Sequence, residues 1–367
     1  MKIGLITIHH ANSYGGTLQA LATQEILKEY GEVKIIDYKN NELKKTLFVV
    51  RAGRKPRDVL RMAKDIARLI PRSRLVKKFK TFISENYDLT TECKNSQELR
   101  ELGEKFDILV CGSDQIWNPK ILGEFDANYM LGFAKGPKKV SLSSSAGSYV
   151  YPPQEQAKVR DLLADFACIS VRESDTAQRL KEITRRSDIS NTIDPTLMLT
   201  KEQWLNLIDP TKTIVSGAER YALTYTLKKN RHTKNIIKQI SESLGVKIIA
   251  IDQDPYLGYP AHAHIMDACP AEYISLFANA SFVITNSFHG TAFSTNFKIP
   301  FITIEPESGA NRVSGLLKAL GLEERFISEN SDLERIIKTM PDFEKAHDAL
   351  NKLRQTTRNY IKNSIHV

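Results

Sequence analysis

Lys2-Ile3-Gly4-Leu5-Ile6-Thr7-Ile8-His9-His10-Ala11-Asn12-Ser13-Tyr14-Gly15-Gly16-Thr17 opens the chain and carries the reading that decides its fold. Residues 3–8 form a short apolar run rich in β-branched side chains, as a buried strand requires. A polar turn with two glycines follows, and from about residue 17 to 30 apolar positions recur at helical spacing until Gly31 ends them. A second strand pattern occupies residues 33–36. Strand, helix and strand in this order make a crossover unit, so the sheet they start is parallel.

The alternation continues with strand patterns at 106–111, 139–143 and 168–171 and a helix over 154–166. Residues 1–175 therefore read as a doubly wound α/β domain, with a basic helical segment, 44–90, inserted into it. The rhythm restarts at 221–227 and runs through strands at 246–251, 281–285 and 300–304, with helices between them, one beginning near His289. That is a second doubly wound domain over 195–340. The stretch 179–209, which holds Asp194-Pro195-Thr196, links the two, and a last helix within 341–367 is expected to cross back onto the first domain. A length of 367 residues suits two cores better than one.

Composition narrows the function classes. No apolar run approaches the roughly 20 residues that span a bilayer, and the amino terminus has no cationic stretch followed by a cleavage site, so a cytoplasmic location is expected. Cys93, Cys111, Cys168 and Cys269 are far apart and have no metal-ligand spacing, which reads as reduced thiols and no metal site. The net charge of +9 is concentrated: residues 44–80 hold fourteen Lys and Arg against Asp58 and Asp65. Val59, Leu60, Met62, Ala63, Ile66, Ala67 and Leu69 give this segment an apolar helical face. It is either a solvated helix or a dock for anionic lipid head groups or polyanionic glycan. Nucleic acid is disfavoured, because few aromatics interleave the charge and no nucleic-acid motif accompanies it.

Four segments at strand ends carry the chemistry. Asn12, Tyr14, Gly15 and Gly16 stand between the first strand and its helix, where backbone N–H groups approach an anion at the positive helix end. The glycine pattern is not that of a dinucleotide fingerprint, although Asp37 sits where a ribose-binding acid would. Gly112-Ser113-Asp114-Gln115-Ile116-Trp117-Asn118-Pro119 follows a strand, and Asp114, Gln115 and Trp117 suit a sugar, with acid and amide for hydroxyls and an indole for the ring. Ser143-Ser144-Ser145 ends the next strand and could line the same crevice. Arg172 is a candidate fork for carboxylate or phosphate, with Glu173 as a competing salt-bridge partner. In Thr285-Asn286-Ser287-Phe288-His289-Gly290, a histidine stands at a helix start, at the positive end of the helix dipole.

Taken together, residues 12–21 and 112–119, Val171-Arg172-Glu173, Asp194-Pro195-Thr196 and residues 285–290 resemble the polysaccharide pyruvyl transferase family, in the right order over about residues 1–330. The resemblance implies two Rossmann-like doubly wound domains facing a cleft, of the GT-B type. It implies phosphoenolpyruvate as donor substrate, with no separate cofactor, and a glycan or glycolipid acceptor whose hydroxyl pair becomes a pyruvyl ketal. His289 matches the family's catalytic histidine and Arg172 an arginine implicated in donor binding; Asp114 is the nearest alternative base. Many members carry Arg two residues before the histidine, where this chain has Ser287, and Arg312 is a candidate to restore the charge. The competing readings are a GT-B glycosyltransferase using a nucleotide sugar and a non-catalytic glycan-binding protein on the same fold.

Overall fold

The computed structural model of the chain describes residues 1–51, 53, 56–208, 220–307, 309–329 and 331–366. Arg54 and the side chain of Arg57 in the basic segment, and Asp209 at the end of the linking stretch, lie outside the described residues.

Strands β1 (Lys2–Ile6), β2 (Glu32–Ile35), β3 (Ile108–Cys111), β4 (Lys138–Ser141) and β5 (Phe166–Cys168) form a sheet in the order β2-β1-β3-β4-β5, and every pairing is parallel. A small parallel pair, β6 (Ser170–Val171) with β7 (Ser190–Asn191), follows β5, and Val171 bridges to Ser144 just past β4. The second sheet contains β8 (Tyr221–Tyr225), β9 (Lys247–Ile251), β10 (Ala263–Ile265), β11 (Phe282–Thr285), β12 (Phe301–Ile304) and β13 (Phe326–Ile327). Its order is β10-β9-β8-β11-β12-β13, again parallel throughout. In both sheets the strand order reverses beside the first strand, the switch point at which open α/β sheets offer a crevice. The central strands are buried on both faces, as helices on either side require, and each sheet has its own apolar core.

The first helix, Tyr14–Lys28, starts three residues earlier than its apolar spacing suggests. Its cap is Ser13, whose Oγ accepts from the Gly16 N–H at 3.2 Å. Burial along this helix is nearly all-round, so the apolar periodicity that sequence reading relies on begins late.

The chain divides into two compact units, the first of residues Met1–Leu47, Ile83–Met198 and Lys352–Val367, the second of Phe48–Phe82 and Leu199–Asn351. This differs from the expected boundaries in two ways, and it divides the last helix. The stretch after 175 belongs to the first unit, because β7 pairs with β6 and the helix Pro195–Met198 packs on the first helix. Most of the basic segment, expected as an insertion in the first domain, belongs to the second unit. Lys78 holds Glu272 at 2.9 Å, Lys64 holds Asp254 at 3.0 Å and Arg68 donates to the Gln253 carbonyl. The last helix, Phe343–His366, serves both units. His347 Nε2 lies 2.9 Å from the Thr295 carbonyl in the second, and Tyr360 Oη donates to the Ser141 carbonyl at 2.8 Å in the first.

Candidate functional site

In the first unit, the ends of β1, β3 and β4 and the start of the first helix gather most of the predicted residues. Asp114, just after β3, and Ser143, just after β4, are non-glycine residues with φ of 67° and 53°. Left-handed backbone of this kind is sparsely populated and collects at functional sites. It is held here by the Ser145 N–H donating to the Asp114 carbonyl at 3.0 Å and by Ser143 Oγ donating to the Ile193 carbonyl at 2.6 Å. Asp114 is half-buried, and its carboxylate faces the first turn of the first helix: a Cβ on Gly16 would lie 3.1 Å from Oδ2. Gly16 is glycine because the acid and the helix start share that space. Tyr14 and Gly15 are buried in the same turn, and half-buried Asn12 precedes it, its N–H bonded to Thr46 Oγ1 at 3.0 Å.

Arg172 sits differently from the expected open fork. Its side chain is 3% exposed, with Nη1 donating to Asp194 Oδ2 at 2.6 Å, Nε to Glu173 Oε1 at 2.9 Å and Nη2 to Ser145 Oγ at 3.2 Å. Burial alone would weaken the guanidinium's hold on its proton, yet Glu173 and Asp194 keep it above its ordinary value. Asp194 is tied in turn to Ser113 Oγ and, through Oδ1, to the Thr196 N–H and hydroxyl. Four motif segments thus converge on one buried network, which explains Asp194-Pro195-Thr196, a stretch sequence reading left without a role. An incoming carboxylate would have to displace Asp194 or Glu173 from the arginine, so Arg172 is placed to organise this region.

Trp117 corrects an expectation outright. Its indole is 1% exposed, donates to the Tyr129 carbonyl at 2.9 Å and meets the Phe166 ring edge-on, so it is core and offers no face to a sugar. Gln115 is half-buried and accepts from Asn118 Nδ2 at 2.8 Å.

The first unit also holds a pair that sequence reading missed. His9 is buried with Nδ1 3.1 Å from the Thr7 carbonyl and Nε2 3.0 Å from Asp37 Oδ1, and Lys39 reaches the other carboxylate oxygen at 3.0 Å. Burial would raise the Asp37 carboxyl, but hydrogen bonds from His9 and Lys39 hold it below the usual carboxylate range. His10 beside it is pushed down to about 3 by burial and by the neighbouring His9. The available signal was the pairing of β1 with β2, which places the loop after one beside the end of the other.

In the second unit, Ser287 caps the helix Phe288–Asn296, its Oγ accepting from the Gly290 N–H at 3.4 Å. A Cβ on Gly290 would overlap Thr285 Oγ1, so this glycine lets helix and strand end approach. His289 lies in the first turn, 9% exposed, with its ring edge-on to Phe288. Asn286 spends its amide on the neighbouring loop, accepting from the Leu227 N–H and donating to the Lys228 carbonyl, both at 2.7 Å. It therefore ties the loop after β8 to the strand end that precedes His289. Arg312 is half-buried on the first turn of the helix Ala310–Leu320, folded back against Gly309, and that helix packs on the one carrying His289. Among the described residues no three His, Cys, Asp or Glu side chains are grouped to hold a metal ion, and no helix is long and apolar enough to cross a membrane.

The fold is shared with solved structures of low identity. UDP-GlcNAc 2-epimerase from Neisseria meningitidis, bound to UDP-GlcNAc, superposes with a TM-score of 0.55 at 9% identity, covering 99% of each chain. The UDP-GlcNAc 2-epimerase from Methanocaldococcus jannaschii gives 0.51 at 13% identity over 93% of each chain, and S. aureus MnaA with UDP gives 0.51 at 10% over 97% of this chain and 90% of its own. These likenesses identify two Rossmann-like domains of the GT-B kind. A search of curated proteins gave no significant match. The sequence model of polysaccharide pyruvyl transferases matches residues 14–308, from the first helix turn through β12, taking in Asp114, Arg172, Asp194 and His289, and the chain belongs to the polysaccharide pyruvyl transferase family.

Proposed function

We propose that the protein moves a pyruvyl group from phosphoenolpyruvate to two hydroxyls of one glycan, forming a cyclic pyruvyl ketal and inorganic phosphate. The observation that carries this reading is the placement of His289 in the first turn of a capped helix at a strand end, within a chain of this family.

The chemistry balances without a resident cofactor. A proton added to the donor's methylene carbon turns it into a methyl group and leaves the central carbon electrophilic. One sugar hydroxyl adds there, the bond from that carbon to the phosphate oxygen breaks, and the second hydroxyl closes the ring. Of the two hydroxyl protons released, one balances the methyl group and the other leaves with phosphate. His289 is the proton donor in this scheme, as a ring in the first turn of a capped helix at a strand end that can carry a proton on nitrogen and pass it on. Asp114, in its left-handed turn beside Gly16, is the base for a sugar hydroxyl, and the first turn of the helix Tyr14–Lys28 favours a bound anion. Arg172 keeps the loop that carries Ser145 and the acid pair in place. We assign the protein to the cytoplasm, where this donor is available, and its acceptor to the glycans, free or lipid-linked.

The test is an incubation of enzyme, phosphoenolpyruvate, a nucleotide sugar and a glycan pool in heavy water. Phosphate release with one deuterium in each new ketal methyl group is expected. Unchanged donor alongside consumption of a nucleotide sugar would make the protein a glycosyltransferase.

A further inference from the structure

The helix Pro56–Ala67 is amphipathic in the inverted sense. Among its described side chains only Asp65 is buried, and it is surrounded by arginines: Arg51 donates to it from the backbone N–H at 3.0 Å and from Nη2 at 2.8 Å, and Arg68 from Nη2 at 2.9 Å. Arg72, also buried, gives its guanidinium to the Phe48 and Val49 carbonyls. Asp65 is thus turned inward and fastened, while Lys64, itself exposed, holds Asp254 beyond β9.

The apolar side faces water. Val59, Leu60 and Ile66 are 59%, 71% and 61% exposed, and Leu69 and Ile70 of the next helix, Leu69–Asn86, are 44% and 65% exposed. Val59 and Ile66, seven residues apart, share one face of the first of these helices, and Ile70 follows four residues on, in the first turn of the next. Isolated surface aliphatics need no explanation, but a contiguous run of them marks an interaction surface. The ground around it is cationic. The next helix adds exposed Arg74, Lys77 and Lys80, while Asp58 and Asp65, the only acids in residues 44–80, are both engaged by arginines.

These two properties select one occupant. A second copy would bring like charge against like charge, and a polyanionic glycan would leave the aliphatic side chains in water. We propose that this face docks on an anionic lipid surface, with Val59, Ile66 and Ile70 entering the boundary between head groups and acyl chains and the surrounding cations meeting lipid phosphates. The inference is independent of pyruvyl transfer. It also reassigns Arg51, which the sequence groups with the surface cations, to the buried Asp65 cluster.

Co-sedimentation with vesicles tests it, using phosphatidylcholine alone and phosphatidylcholine mixed with phosphatidylglycerol. The wild type is expected to bind only the mixed vesicles. The triple variant Val59→Gln, Ile66→Gln and Ile70→Gln is expected to bind them roughly tenfold more weakly or worse at unchanged melting temperature, since all three side chains are exposed. Absent binding to mixed vesicles would overturn the proposal. So would unchanged binding by the triple variant, which would make the attraction electrostatic alone. A dimer in sedimentation equilibrium that the same substitutions dissolve would assign the stripe to a second copy instead.

Discussion

Arg172 and Asp194 meet at 2.6 Å with side chains 3% and 0% exposed, and Glu173 closes the other side of the guanidinium. Replacing one partner of such a pair leaves a buried charge uncompensated, at a cost of about 3–5 kcal/mol. Arg172→Ala should therefore lose most of its effect in stability, read as a fall in the urea midpoint. An unchanged midpoint with a raised KM for phosphoenolpyruvate would return Arg172 to the substrate.

Trp117 should behave as core. Trp117→Ala is expected to cost about 3–5 kcal/mol, the range for truncating a buried large aromatic. The effect should appear in thermal unfolding, with affinity for acceptor glycan unaffected in the fraction that remains folded. Loss of glycan affinity at wild-type stability would contradict the burial of the indole.

His10 makes stability fall in acid. Its folded pKa of about 3 lies below its ordinary 6.5, so between these values the unfolded chain binds a proton that the folded chain does not. Stability then rises with pH across that window and is lost as pH drops below about 6.5, by at most about 1.4 kcal/mol per pH unit from this group. Asp37, held low, adds a loss of the same sign nearer the carboxylate range. His10→Gln should flatten the melting temperature between pH 6.5 and 5 relative to the wild type, and an unchanged slope would exclude His10 as the source.

Much of this was legible from residue patterns because parallel strands buried on both faces read as apolar runs and helices end at capping residues and glycines. The five strands of the first sheet, the four central strands of the second, the turn that carries Asp114 and the helix that carries His289 follow from such local signals, while the short edge strands β10 and β13 do not. What was not legible depends on partners far apart in the chain. Whether Trp117 faces sugar or core is decided by Tyr129 and Phe166, and whether Arg172 is open or sealed is decided by Asp194. His9 found Asp37 only because β1 and β2 are neighbours, and residues 48–82 joined the second unit through Glu272 and Asp254.

His289 should separate catalysis from binding. His289→Asn keeps similar bulk and one hydrogen-bonding nitrogen but removes proton transfer, so kcat is expected to fall by roughly 10²–10⁴ with donor affinity retained. A defect confined to affinity would make it a donor ligand, and full activity would leave Asp114 as the residue to test.

The identity of the donor is the centre of the account, and ligand-induced stabilisation measures it without knowledge of the acceptor. At a hundred times its Kd, a ligand that binds only the folded protein adds about 2.7 kcal/mol of stability. Thermal unfolding in phosphoenolpyruvate should show that gain, and unfolding in UDP-GlcNAc should match the free protein. Stabilisation by UDP-GlcNAc with none by phosphoenolpyruvate would contradict pyruvyl transfer and identify a nucleotide-sugar enzyme.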